Sequence, residues 1–285
     1  MNITLRSGKP EDAARCGPIC YEAFKKIAQQ HNFPPDMPSA EVATGLITEL
    51  LGHPGFYGVV AELDDQVIGS NFLDERSMIA GIGPITIDPA VQDQTVGRQL
   101  MQHVLDRVKQ RGFPGVRLVQ GAYHNRSLAL YTKLGFVTRE PLSNMQGAPL
   151  GIEIPGYNVR PAKEQDLDAC DKICVEVHGH DRRGELLDAI KHGNASVVEH
   201  GGRITGYTTI IAFFGHAVGE TNEELKALIG AAPSFPGPGF LLPTRNAELF
   251  RWCLEQGLRV VQPLTLMSIG VYNEPRGAFL PSILY

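Results

Sequence analysis

Several things are scarce in this 285-residue chain, and each scarcity narrows what it can be. Cysteine occurs five times, an odd and thinly spread number that points to reduced thiols and against a disulfide framework. No uninterrupted apolar stretch is long enough to cross a bilayer, so no membrane partner is expected. The start, Met1-Asn2-Ile3-Thr4-Leu5-Arg6, reads as a short strand and not as an export signal, which gives the expectation of a soluble, cytoplasmic protein. Basic runs are missing and the net charge is -5, which disfavours a nucleic-acid footprint. What remains is ordinary globular composition, with 43% hydrophobic and 20% charged residues. The length suggests two compact units.

A shift of 154 positions aligns the chain with itself, setting Arg6, Lys9, Asp12, Cys16, Ile19 and Cys20 on Arg160, Lys163, Asp166, Cys170, Ile173 and Cys174. Further on, Val60, Glu62, Val67 and Gly69 recur as Val197, Glu199, Ile204 and Gly206. They flank hairpin turns at Asp64-Asp65 and Gly201-Gly202. Met145 to Gly156 reads as the linker. The domains expected are therefore 1–145 and 156–285. In the first, strands fall near 2–6, 56–62, 67–74, 79–87, 116–122 and 136–142. A helix from Val96 to Lys109 carries Val96, Leu100, Met101, Val104, Leu105 and Val108 on one face. Central antiparallel hairpins with helices before and after give an α+β sandwich.

The chemistry concentrates in Ile85-Thr86-Ile87 followed by Gln92-Asp93-Gln94-Thr95-Val96-Gly97-Arg98, an apolar strand running through a polar loop into that helix. The first N–H groups of a helix have no internal partner, and with the helix dipole they make a cradle for a diphosphate. Gly97 permits close backbone approach. Further along, Asn125 to Phe136 reads as a helix with Asn125 as N-cap and Gly135 as its stop.

These two segments, in this order, resemble the GNAT superfamily of acyl-CoA-dependent N-acetyltransferases, over most of 1–143 and more faintly over 157–285. The resemblance implies two tandem α/β/α sandwiches, each with a mixed, mostly antiparallel sheet. It makes acetyl-CoA the cosubstrate, with the diphosphate on Gln92, Asp93, Gln94, Thr95, Val96, Gly97 and Arg98. The pantetheine arm would pair with Ile85, Thr86 and Ile87, and Asn125 would lie beside the cofactor. Tyr131 stands where the family has its general acid. Thr95 departs from the family's usual Gly, and a β-branched residue resists positive φ there. The implied activity is transfer of an acetyl group to a primary amine of a small-molecule or peptide acceptor by direct attack. The alternative is a noncatalytic CoA-responsive binding or scaffold protein, and a homodimer is left open.

Asp74, Glu75 and His124 are near strand ends, where a base could stand, but each reads first as a solvated or hydrogen-bonded surface group. In the second copy the segment Phe213 to Leu225 has an acidic helix start where the loop should be, and Cys253 aligns with Tyr131. That copy is expected to be a structural or acceptor-side partner. His178, His180 and Asp181 cluster without further ligands at recognisable spacing, so no metal is expected.

Overall fold

The computed structural model describes residues 3–91 and 95–284. The first half runs β1 (Ile3–Ser7), α1 (Ala13–Gln30), α2 (Ala40–Gly52), β2 (Phe56–Leu63), β3 (Gln66–Asp74), β4 (Ile79–Ile82), β5 (Thr86–Ile87), α3 (Val96–Arg111), β6 (Gly115–Gly121), α4 (Asn125–Lys133) and β7 (Val137–Gln146). The second half repeats the pattern with β8 (Tyr157–Pro161), α5 (Leu167–His178), α6 (Arg183–Lys191), β9 (Ser196–His200), β10 (Arg203–Thr208), β11 (Ala217–Gly219), α7 (Asn222–Ala231), β12 (Phe240–Pro243), α8 (Ala247–Glu255), β13 (Arg259–Gly270) and β14 (Ala278–Leu280).

The repeat seen in the sequence is a repeated ion-pair device. Arg6 reaches both carboxylate oxygens of Asp12 at 2.8 Å, and Asp12 accepts the Lys9 backbone N–H at 2.7 Å. Arg160, Asp166 and the Lys163 N–H repeat this at 2.7, 2.9 and 2.8 Å, with Glu62 and Glu199 as the second carboxylates. Each set pins the turn after a first strand to the start of a first helix. The hairpin turns also match, since Asp64, Asp65, Gly201 and Gly202 all have positive φ, as a two-residue turn between antiparallel strands requires.

The helix beginning at Val96 buries the face expected of it: Val96, Leu100, Met101, Val104 and Val108 join Val59, Leu73, Val116, Leu118 and Tyr131 in one core. On the other side of the sheet α1 and α2 pack Cys16, Cys20, Ala43 and Ile47 against Val60 and Phe72. The strand expected over 79–87 is not continuous. It breaks at Gly83-Pro84, where Gly83 has φ +139 and Pro84 has no N–H to give to a ladder, so β4 and β5 are separate pieces.

The two halves exchange strands. The larger sheet has the order β1-β2-β3-β4-β6-β13-β7-β12, so β13 of the second half lies between β6 and β7, and β7 of the first half lies between β13 and β12. The pairings of β13, Leu266↔Val119 on one side and Leu264↔Leu142 on the other, are both antiparallel. The smaller sheet, β14-β11-β10-β9-β8, completes the second half. Among the described residues no helix is long and apolar enough to cross a membrane.

Candidate active site

In the first half, β4 pairs with β6 in parallel only as far as Gly81 opposite Arg117. Beyond that point the strands part: β5 lies along β3, while Leu118–Gly121 lie along β13. A cavity of about 750 Å³ occupies the opening. On one side it is bordered by Ile85, Thr86, Ile87, Thr95, Val96, Gly97, Arg98, Asn125 and Tyr131, so the described residues singled out from the sequence meet around one space. Gln92, Asp93 and Gln94 lie outside the described residues.

Thr95 occupies the N-cap position of α3 with φ 65 and ψ -1, the left-handed region that a β-branched residue disfavours. Its hydroxyl accepts a 3.2 Å bond from Gln99 Nε2, which turns the side chain along the helix. The missing side chain of Gly97 has a definite neighbour: a Cβ there would stand 3.0 Å from Cδ1 of Ile87. The glycine thus lets the first turn of α3 settle onto β5, and the N–H end of the helix dipole faces the opening.

Asn125 proves to be the first residue of α4, and His124 is the N-cap. The His124 imidazole lies 2.6 Å from the Ser127 hydroxyl in the first turn of the helix. Gly135 follows the helix with φ +96, as expected of its stop. Tyr131 is 7% exposed and packs edge-on to Phe136 in the core shared with α3. Burial pushes its phenol up to about 12, partly offset by a hydrogen bond with Ser127, so it stays protonated over the ordinary range.

Of the three groups considered as a base, two are elsewhere. Asp74 is paired with Arg76 at 2.7 Å and Glu75 with Arg107 at 2.7 Å, and neither borders the cavity. His124 does border it, but burial lowers its pKa to about 4. Two other polar residues on the cavity were not legible in the sequence. Gln120 on β6 is 6% exposed, and both polar atoms of its carboxamide are buried without a hydrogen-bond partner among the described residues. Asp36, between α1 and α2, accepts a 2.8 Å bond from Gln262 of β13. A lone Asp within Phe33-Pro34-Pro35-Asp36-Met37-Pro38 was the one local signal for the second.

In the second half the corresponding gap is occupied by chain, and a separate cavity of about 560 Å³ lies at the starts of α7 and α8, bordered by Thr221, Asn222, Arg245 and Asn246. β14 pairs antiparallel with β11 and packs against β12, in the place where the first half has its gap. At the start of α7 the Thr221 hydroxyl accepts the Glu223 N–H at 3.2 Å, and the Thr221 N–H is held by Glu224 at 2.9 Å. This helix start is closed by its own acidic side chains, as a capping box closes one. Cys253, aligned with Tyr131, is fully buried, and burial raises its thiol to about 12.

Comparison with known proteins agrees with this geometry. An IAA acetyltransferase from Azospirillum brasilense is 24% identical over 141 residues, covering 49% of this chain and 92% of that protein. A solved protein from Pyrococcus horikoshii shares the fold along nearly the whole length, with a TM-score of 0.73 at 17% identity, covering 99% of this chain and 92% of that one. A tandem GNAT protein from the clavulanic acid biosynthesis pathway superposes with a TM-score of 0.58 at 11% identity, covering 94% and 98%. Residues 21–136 match the acetyltransferase (GNAT) family model.

Proposed function

We propose that the first half is an acetyl-CoA-dependent N-acetyltransferase that moves an acetyl group to a primary amine by direct attack, and that the second half has no active site of its own. The observation that carries this reading is the cavity in the opening between β5 and β6, with the first turn of α3 at one end and Tyr131 in its wall.

In this reading the diphosphate of the cosubstrate lies on the N–H groups of the first turn of α3, where the helix dipole favours negative charge. Arg98 borders the same end of the cavity and adds a cation. The pantetheine arm runs along β5 as an added strand would. Gln120, with an idle donor and an idle acceptor, matches the amides of such an arm.

As the acceptor nitrogen bonds to the acetyl carbon, the carbon–sulfur bond breaks and the sulfur leaves with the electron pair. Tyr131 is the nearest candidate to steady it. An ordinary thiol has a pKa of roughly 8.5, so complete proton transfer from a phenol near 12 would be uphill by about 5 kcal/mol. The role that fits is a hydrogen bond strengthening as charge grows on sulfur, a contribution made mainly in the transition state. Tyr131→Phe keeps the core filled and removes that bond. Turnover should fall by ~10²-fold while acetyl-CoA affinity is unchanged. An unaltered rate would remove Tyr131 from the mechanism, and failure of the wild-type protein to bind acetyl-CoA would remove the reading altogether.

A further inference from the structure

The cavity has a second compartment on the opposite face of the sheet from Tyr131. Side chains alternate along β6, so Leu118 and Gln120 share the face of α3 and Tyr131, while Val119 and Gly121 share the other face with Leu266 and Leu264 of β13. On that other face the link between α1 and α2 brings in Asp36. Among the described residues lining the cavity it is the one carboxylate.

Its position is set from the far half of the chain. Gln262 is 2% exposed and donates to Asp36 Oδ1 at 2.8 Å, while its own Oε1 accepts the Tyr123 hydroxyl at 3.1 Å. The Tyr123 ring is itself stacked on Phe33, with centroids 4.3 Å apart. Burial raises the Asp36 carboxyl, and the Gln262 bond partly offsets this. A desolvated carboxylate with a single neutral partner strongly attracts a cation, because the interaction is little screened. Apolar wall comes from both halves, with Phe24, Met37 and Leu46 from the first and Phe213, Leu264 and Ile283 from the second, while Lys26, Gln30 and His31 at the end of α1 border the same space.

We propose that this compartment is the acceptor site, that Asp36 receives the acceptor's ammonium group and takes the proton it must give up before attack, and that the acceptor is a primary amine on an apolar body bearing no second charge. This rests on the acetyl-transfer reading. Asp36 first takes one proton from the ammonium and so frees the nitrogen's lone pair. As the N–C bond then forms and the C–S bond breaks, the electron pair leaves with sulfur, and the nitrogen's second proton passes to that thiolate to give the free thiol. A polyamine or a lysine-rich peptide would bring further cations into a wall with no further carboxylate, and each would be buried unpaired. Gln262 acts as a positioning residue, which gives the second half a part in the reaction.

The test uses the full chain, acetyl-CoA, and a panel of 2-phenylethylamine, hexylamine, spermidine, glycine and a lysine-containing peptide, followed by thiol release. The first two should be preferred by at least about tenfold in kcat/KM, as burial of a few methylenes implies. Asp36→Asn should lower kcat/KM for them by about 100-fold or more, with acetyl-CoA affinity unchanged by calorimetry. Gln262→Leu removes a donor to the carboxylate, so the acid limb of the kcat/KM profile should move to higher pH. Cys20, Lys26, His31, Arg98, Tyr123, His124, Arg126 and Tyr131 are the other titratable or charged side chains among the described residues on this cavity. Acetyl-CoA binding with preference for spermidine or the peptide, with no turnover of any amine in the panel, or with Asp36→Asn unimpaired, overturns the proposal alone. Absence of acetyl-CoA binding overturns it together with the reading beneath it.

Discussion

Arg76 of the first half donates to Asp188 of the second at 3.0 Å while holding Asp74 on its own side at 2.7 Å. The guanidinium is thus shared between two carboxylates of different halves, and it also lies over the Phe56 ring, 4.6 Å from its centroid. Its side chain is only 15% exposed, which places it among pairs whose disruption is felt. Arg76→Ala leaves Asp74 without its cation and Asp188 with only His53 beside it, at 3.3 Å. A loss of about 2 kcal/mol is expected in urea unfolding, less than for a fully buried pair because both carboxylates are partly wet. An unchanged midpoint would mean that the halves are held by strand exchange alone.

The exchanged strands lead to a stronger expectation. With residues 147–285 removed, β6 and β7 lose β13 between them, and the Leu264 and Leu266 contacts to Leu142 and Phe213 go too. A 1–146 fragment would expose two long unpaired edges, so it should aggregate or remain unfolded, and it should bind no acetyl-CoA. A soluble, monomeric fragment with native-like circular dichroism would contradict this.

Thr95 is a residue in the wrong backbone region for its type. Thr95→Gly relieves left-handed strain of roughly 1–2 kcal/mol and gives back about half of it as unfolded-chain entropy. The melting temperature should therefore rise by about 2 °C, and acetyl-CoA should bind more tightly because the helix start is less crowded. Weaker binding would show that the threonine hydroxyl itself serves the ligand.

Acid should destabilise the protein in a window set by its histidines. Burial lowers His124 and His180 to about 4 and pushes His178, His216 and His103 in the same direction. Above pH ~6.5 these side chains are neutral whether folded or not. Between there and pH ~4 the unfolded chain takes up protons that the folded chain refuses, so stability falls as pH falls. Unfolding near pH 5 should absorb at least about two protons, readable from the slope of unfolding free energy against pH. Asp12 and Asp166, lowered by Arg6 and Arg160, add stability above 3.8 that is lost only as pH drops through their lower folded values. Their window lies below that of the histidines. A flat stability curve from pH 6.5 to 4.5 would refute the assignment.

What could be read from the sequence was what repeats locally. Arg6 to Cys20 and Arg160 to Cys174 betray each other because the same ion pairs close the same turn, and the face of α3 is visible because its period is helical. The partners of β13 were not visible, since the alternation of buried Gln262, Leu264 and Leu266 with more exposed Pro263 and Thr265 tells which face is covered but not which half supplies the neighbouring strands. Asp36 and Gln262, 226 residues apart, were invisible for a similar reason: a single polar bond between distant segments leaves no period or spacing behind. The cap of α4 was misplaced by one residue because a histidine took a place that Asn, Ser or Thr more often fills.

β14 fills the gap in the second half, and the residues just after it, Ile283 and Leu284, wall the cavity of the first. The fit is close enough that a Cβ on Gly81 would collide with the Leu284 carbonyl. One short stretch of chain therefore fills one gap and shapes the other. In a symmetric pair of separate subunits, any change to that stretch would alter both clefts alike. Joined in a single polypeptide, the two are free to diverge, one becoming a fixture on which the other's selectivity is built.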